Sequence, residues 1–409
     1  MILRAKYVLD ADLRPIENGF VRVSPHHIIA VGNSLPTDDL NVIDCGNAVL
    51  MHGLVNAHTH LELGTLHNTV QPTHDFVGWL ERLATIMRSM NTDREDIKLA
   101  VRNGLQRSLE SGVTHVGDIS RFASITRETS AGIRSRPNVT SYAEVLGSMS
   151  IEPDQLLDQS ADLHRLPTAL VQGISPHATY SVPHGFMLKC AVVAAAMRAP
   201  VCIHAAESLE EEEFLLRGTG RLREFLESMG VCDSSHKPIG VRPIEFLNRT
   251  FSLKPNTLLA HCNYVNIDEI RLIATEKTSV VYCPRTHHAF GHPPHRLDDM
   301  LDAGVNVCLG TDSLASNPSL SMLDEIRFLR RHRTDVSSET ILRMATVNGE
   351  IALRGKGETH LSLIGSRADL IAIPIDPNGS SDPCENILTN THVPTHCMVA
   401  GQLLINLTA

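Results

Sequence analysis

Histidine is abundant in this 409-residue chain, with 22 copies, and several stand where an apolar run ends. In Asn56-Ala57-His58-Thr59-His60 two of them are separated by one residue. Residues i and i+2 of a strand project to the same side, so His58 and His60 can aim two imidazoles at one point as a metal clamp. With this many histidines the pattern also arises by chance. A second combination is Ile203-His204-Ala205-Ala206-Glu207. His204 closes an apolar run, and the Glu207 carboxyl in the turn above it can shuttle protons as a general acid or base. A helix N-terminal acid stabilised by the dipole is the plainer reading, and the acids at 210–213 read as a solvated helix face. His261 in Leu259-Ala260-His261-Cys262 and Asp312 in Leu309-Gly310-Thr311-Asp312-Ser313 end two further runs. Singly they read as a buried histidine and a helix N-cap.

The elements that must position these residues follow from periodicity. Strand-length apolar runs occupy 49–56, 113–118, 139–146, 169–175, 201–204, 257–261, 279–284 and 305–310. Helical patterns fill most intervals, at 81–90 with 96–109, then 186–197, 210–229, 267–275 and 295–303, and one at 320–333 follows the last strand. Strands alternating with helices in this way predict an α/β fold, a parallel (β/α)8 TIM barrel. A doubly wound open sheet is the alternative, but it concentrates its site at one switch point. Here the chemically capable residues end several different strands. Short strand patterns at 2–9, 19–23, 28–31 and 42–44, and again at 369–374, 396–399 and 402–405, predict a small flanking β-sandwich built from both termini. The division expected is a composite sandwich of 1–48 plus 355–409 and a barrel domain of 49–354, with a polar loop near 376–383.

One barrel mouth would then gather His58, His60, His204, His261, Asp312 and Glu207. Imidazoles and a carboxylate around one point suit Zn2+ or Fe2+, with water in the open position. Burying those groups without an ion would be costly.

Together these motifs look like the signature of the amidohydrolase superfamily: His58-Thr59-His60, His204 with Glu207, His261, and Gly310-Thr311-Asp312. They most resemble its single-metal deaminase and chlorohydrolase branch, which includes adenosine, cytosine and S-adenosylhomocysteine deaminases. Val55-Asn56-Ala57, 345–349 and 365–370 extend the likeness over nearly the whole chain. His52 stands where a proline is common in that family. The binuclear branch carries a carboxylated lysine at the end of strand four; here that end reads Ile174-Ser175-Pro176-His177. One divalent ion is therefore expected, Zn2+ ahead of Fe2+. The resemblance implies His58, His60, His204 and Asp312 as metal ligands. It gives Asp312 the further task of taking a proton from water, His261 that of steadying the attack, and Glu207 that of protonating a ring nitrogen so that ammonia can leave. His177 resembles a substrate-contacting histidine of the S-adenosylhomocysteine and thioadenosine deaminases; a loop histidine beside Pro176 is the alternative.

Glu62, Glu144, Arg285 and Ser313 lie near strand ends as candidate substrate contacts, as does Trp79, whose spacing with Leu80 and Leu83 fits core packing better. His287, His288, His292 and His295 read as a solvent-exposed lid, with a second metal as the alternative, and His115 as core. Leu61-Glu62-Leu63 and 314–317 look like aminodeoxyfutalosine and adenosine-derivative deaminases. The function expected is metal-dependent hydrolytic deamination of an amino-purine nucleoside or related amino-heterocycle. The alternatives are a heterocycle chlorohydrolase or other cyclic C–N hydrolase, and a non-catalytic metal-binding scaffold.

The resemblance implies a small heterocyclic molecule as the partner, and composition argues against nucleic acid and a membrane. Acids exceed bases, 46 to 36, which disfavours nucleic acid. No apolar run approaches the roughly 20 residues needed to span a bilayer. The N-terminus shows no secretory h-region, and nine scattered cysteines without a C-x-x-C pair suit a cytoplasmic setting. A homodimer is an expectation drawn from how common oligomers are among such barrels.

Overall fold

A computed structural model describes residues 1–34, 41–89, 94–147, 153–157, 169–354 and 363–406. Among these, eight parallel strands form one sheet in chain order. They are Leu54–Thr59, Val113–Ser120, Asn138–Val145, Leu170–Pro176, Val201–Ala205, Thr257–His261, Ser279–Tyr282 and Val307–Leu309, called barrel strands 1 to 8 below. Inward-facing Tyr142, Cys202, Leu258, Ala260, Val281 and Cys308 fill the barrel as packed layers. Each fully buried large apolar side chain contributes about 1.5–3 kcal/mol relative to exposure.

The barrel closes between strands 8 and 1 through side chains. Asn56 Nδ2 donates to Thr311 Oγ1 at 2.8 Å and Asn56 Oδ1 accepts from the Thr311 N–H at 3.0 Å. The Asp312 N–H reaches the His58 carbonyl at 3.0 Å. The seam thus locks the end of strand 8 against the His58 clamp. It requires glycine at 310, where an added Cβ would sit 2.9 Å from the His58 Cβ, N and O atoms.

Both termini build the flanking sheets, one of four strands and one of six, with Leu3, Val8, Val21, Ile28, Leu50 and Met398 packed between them. Two runs that read as single strands are divided. The run 49–56 breaks at Gly53: Ala48–His52 joins the flanking sheet beside Leu370–Pro374 and Tyr7–Leu9, and Leu54–Thr59 starts the barrel. Gly53 packs against Thr114 so closely that a Cβ would lie 2.1 Å from it. The barrel sheet therefore begins at Leu54 rather than at 49. The run 2–9 likewise splits into Ile2–Arg4 and Tyr7–Leu9, one in each flanking sheet. The helical pattern 210–229 is two helices, Leu209–Arg217 and Arg221–Ser228, broken at Gly218–Gly220. Helices that periodicity did not reveal include Ala123–Ala131, Pro243–Arg249 and Pro284–Phe290. No described helix is long and apolar enough to cross a membrane.

Candidate active site

The rim at the C-terminal ends of the strands collects the site. His58 lies inside the barrel on strand 1, His60 follows the end of that strand at the mouth, and His204 lies near the end of strand 5. Their ligand nitrogens all lie within 4.8 Å of one another. Asp312 Oδ1 lies 3.7 Å from His58 Nε2 and 3.8 Å from His60 Nε2. The Asp312 carboxylate is itself aimed, with Oδ2 accepting from the Ser316 hydroxyl and Oδ1 from the Ser313 N–H, both at 2.7 Å. His204 Nδ1 contacts the His177 carbonyl at 2.9 Å, so donation from Nδ1–H leaves Nε2 as the free lone pair, the tautomer a metal requires.

These residues fit a divalent cation. His58 Nε2 is buried with no hydrogen-bond partner, which is unfavourable for a polar atom in a dry interior unless an ion satisfies it. Burial and mutual repulsion hold His58 well below the usual imidazole pKa, burial with His204 takes His60 to about 3, and burial alone takes His204 to about 4. All are thus neutral, the ligating form. Three imidazoles and one carboxylate suit Zn2+ or Fe2+.

The rim backbone is strained where it turns. Ala206, His261, Cys262 and Asp312 have φ of +49°, +73°, +50° and +59°, left-handed values that cost about 1–3 kcal/mol each unless packing enforces them. At His261 the His295 Nε2 sits 3.0 Å from its carbonyl oxygen. At Asp312 the Thr59 hydroxyl donates to the carbonyl at 2.9 Å. His261 Nε2 then faces Glu207 Oε1 at 3.5 Å. Burial, Asp312 and Glu211 together hold the Glu207 carboxyl well above the usual carboxylate range, which favours its protonated form.

A cavity of about 400 Å³ opens above these groups. Its floor is polar: His60, His177, His204, Glu207, His261 and Asp312. Its outer wall is apolar, built by Trp79, Leu83 and Met87 of helix Phe76–Ser89 and by Phe225, Leu226 and Met229 of the Arg221–Ser228 region. Trp79 does both jobs open to it: it packs between Phe76 and Phe290 and lines the cavity. Glu62, Glu144, His177 and Ser313 also line it. His177 Nδ1 meets Ser181 Oγ at 2.7 Å while its ring lies 4.8 Å from that of His204.

Three expectations require correction. Arg285 stands outside the cavity lining; its guanidinium donates to Ser319 at 2.8 Å and pairs with Asp324 at 3.5 Å, so it is spent on the helix Met322–His332 side. The histidines at 287–295 do not form an exposed lid. His287 and His295 are buried, because Pro284–Phe290 is a helix whose inner face packs on Tyr282, with the His295 ring 4.1 Å from that of Tyr282. Of that group His288 alone is exposed. Among the acids at 210–213, Glu211 is fully buried; it accepts from the Thr179 hydroxyl and from the Glu207 N–H at 2.7 Å and so fixes the Glu207 turn. His115 is core, as expected, and pairs with Glu350 at 2.7 Å. Sequence reasoning missed Ser316 and Arg121, and read Glu211 as part of a solvated face and His295 as part of an exposed lid. They carry no motif of their own, although the spacing Asp312 to Ser316 within one loop was a usable signal.

Barrel, rim and donor set define a (β/α)8 hydrolase with a rim cluster suited to a divalent ion. The profile of the Amidohydrolase family matches residues 49–404, and the chain belongs to that family. Over 386 residues it is 28% identical to a 5-methylthioadenosine/S-adenosylhomocysteine deaminase of Saccharophagus degradans, spanning 89% of this chain and 80% of the relative. The same-named enzyme of Nitratidesulfovibrio vulgaris is 26% identical, with 98% and 91% covered. The fold resembles the Helicobacter pylori aminofutalosine deaminase solved with methylthio-coformycin (TM-score 0.83, 22% identity, 99% of this chain and all of that one). It also resembles the zinc complex of an atrazine chlorohydrolase from Arthrobacter aurescens (0.80, 20%, 99% and 95%).

Proposed function

We propose that this protein is an aminohydrolase that deaminates an amino-purine nucleoside or a related amino-heterocycle. The observation that carries the reading is Glu207: a buried carboxyl, its protonated form favoured by burial and by Asp312, beside His261 at 3.5 Å and above the three-histidine and Asp312 cluster. Amines leave poorly until protonated, so deamination requires such an acid. His58, His60, His204 and Asp312 would hold one divalent ion, which supplies Lewis acidity that lowers the pKa of water toward about 7. We assign Zn2+ rather than Fe2+, the ion with which related folds were solved. Asp312 Oδ1 takes the proton from the attacking water, and His261 Nε2 orients that water by a hydrogen bond. Glu207 gives its proton to the ring nitrogen beside the amino-bearing carbon. Water adds to that carbon; Glu207, now a carboxylate, takes the hydroxyl proton of the adduct and passes it to the amino group, which leaves as ammonia, and the proton held by Asp312 restores Glu207.

The apolar outer wall suits a neutral apolar 5′ substituent, as on 5-methylthioadenosine, the substrate class in the names of the relatives. A small heterocycle is the partner, and nine free cysteines support a reducing, cytoplasmic setting. The test is a panel of aminopurine nucleosides, including 5′-methylthioadenosine, with zinc-loaded protein, assayed for ammonia. Release of ammonia from at least one is expected. No ammonia from any member, with chloride appearing from a chlorotriazine, would sink this reading in favour of a chlorohydrolase.

A further inference from the structure

Glu144 is the cavity carboxyl that the proposed chemistry leaves idle. It lies two residues beyond inward-facing Tyr142 on strand 3, so its side chain shares the barrel's inner face at the mouth. It is 9% exposed and lines the cavity, yet among the described residues it has no hydrogen-bond partner. Its neighbour Glu62 is the contrast. The Glu62 carboxylate accepts from the Ser120 hydroxyl, from the Arg121 N–H at 3.1 Å and from the Phe122 N–H at 3.2 Å, so it is structurally committed. A carboxyl left without a protein partner among the described residues faces ligand space here.

The surroundings select the ligand chemistry. The charges that bear on Glu144 are Glu62 and Arg121, and burial with Glu62 pushes the carboxyl up to about 8. Asp312 and Glu211 are instead the charges that bear on Glu207. Glu144 stands on strand 3 and Glu207 follows strand 5, so the two carboxyls reach the cavity from opposite sides of strand 4. An anionic ligand group would meet two carboxyls, and a cationic one would meet Arg121, which lines the same cavity just past the end of strand 2, the neighbour of strand 3. A neutral pair of hydroxyls suits both, one donating to Glu144 and one accepting from Arg121.

We propose that Glu144 and Arg121 form the subsite for the sugar hydroxyls of a ribonucleoside, and that Glu144 makes the enzyme select ribosides over their deoxy counterparts. This rests on the nucleoside reading above and extends it from the base to the sugar. The test compares wild type, Glu144→Gln and Glu144→Ala on an aminopurine riboside and its 2′,3′-dideoxy analogue. A second readout is binding of the corresponding 6-oxo nucleosides by fluorescence of Trp79, the chain's single tryptophan and a cavity residue.

Wild type is expected to favour the riboside by about 10- to 100-fold in kcat/KM, and in Kd, the range for hydrogen bonds to an ionisable partner. The ratio should fall at least about threefold in Glu144→Gln and collapse in Glu144→Ala, with the dideoxy compound handled as before. Glu144→Gln, of equal volume, decides the matter if Glu144→Ala does not fold. Indifference of wild type to the hydroxyls, or a preference that survives both substitutions, overturns the subsite. Failure of wild type to turn over any aminopurine nucleoside overturns the deamination reading instead. In that case the Trp79 titration still decides the subsite: no binding of either 6-oxo nucleoside overturns it as well.

Discussion

Replacing Glu207 by Gln separates a proton donor from a structural hydrogen-bonding group. The amide matches the carboxyl in volume and can still meet His261 Nε2, now 3.5 Å from Glu207 Oε1, but it has no proton to give. Were Glu207 only a hydrogen-bond partner for His261, its loss would cost about 0.5–1.5 kcal/mol, roughly 2- to 12-fold. As the acid that protonates the ring and the departing amine, it should contribute about 10²- to 10⁴-fold in kcat, or ~2.7–5.4 kcal/mol at 1.36 kcal/mol per decade. The two ranges do not overlap, so steady-state ammonia release decides between them. Metal content per chain, by plasma emission, should equal that of wild type, because Glu207 is no ligand of the cluster. A variant retaining more than a tenth of wild-type kcat, or losing metal together with activity, would refute the assignment.

Asp312→Ala should reduce bound metal at least about tenfold after dialysis and abolish turnover, since its Oδ1 faces both His58 and His60; unchanged metal content and activity would show the ligand set to be wrong. Gly310→Ala should destabilise the protein by ~1–3 kcal/mol in urea unfolding and weaken metal binding, because the new methyl would overlap the His58 backbone; a variant equal to wild type in both would contradict the seam. Glu144 supplies a pH test. Its folded pKa of about 8 exceeds the ordinary glutamate value of 4.5, so the folded state holds the proton more tightly. That contribution is fully present below about pH 4.5 and declines as pH rises toward 8. Glu144→Gln lacks the decline, so its stability relative to wild type should grow by on the order of 3 kcal/mol between pH 5 and pH 8. Unfolding curves at the two pH values check this, and a constant difference would count against it.

The sequence by itself determined the chemistry-bearing positions and the strands that carry them. His58 and His60 share a strand face because the strand period is two, and His204, His261 and Asp312 each close a run of barrel-strand length. Local periodicity records such facts because each strand must bury its apolar residues whatever its neighbours are. Only the tertiary structure decided which sheet a run joins: Ala48–His52 and Leu54–Thr59 are one apolar stretch in the sequence and two strands in different sheets, because the partner that captures each is remote in the chain. The same holds for polar burial. Glu211 among four acids and His287 and His295 in a histidine-rich stretch read as solvated, and their burial follows from Thr179, Tyr282 and the His261 carbonyl arriving from other strands and the turns that follow them. Conversely Arg285, well placed in sequence, is drawn out of the cavity by Ser319 and Asp324. A residue's type and spacing are local properties, whereas desolvation and hydrogen-bond partnership are set by what the fold packs against it.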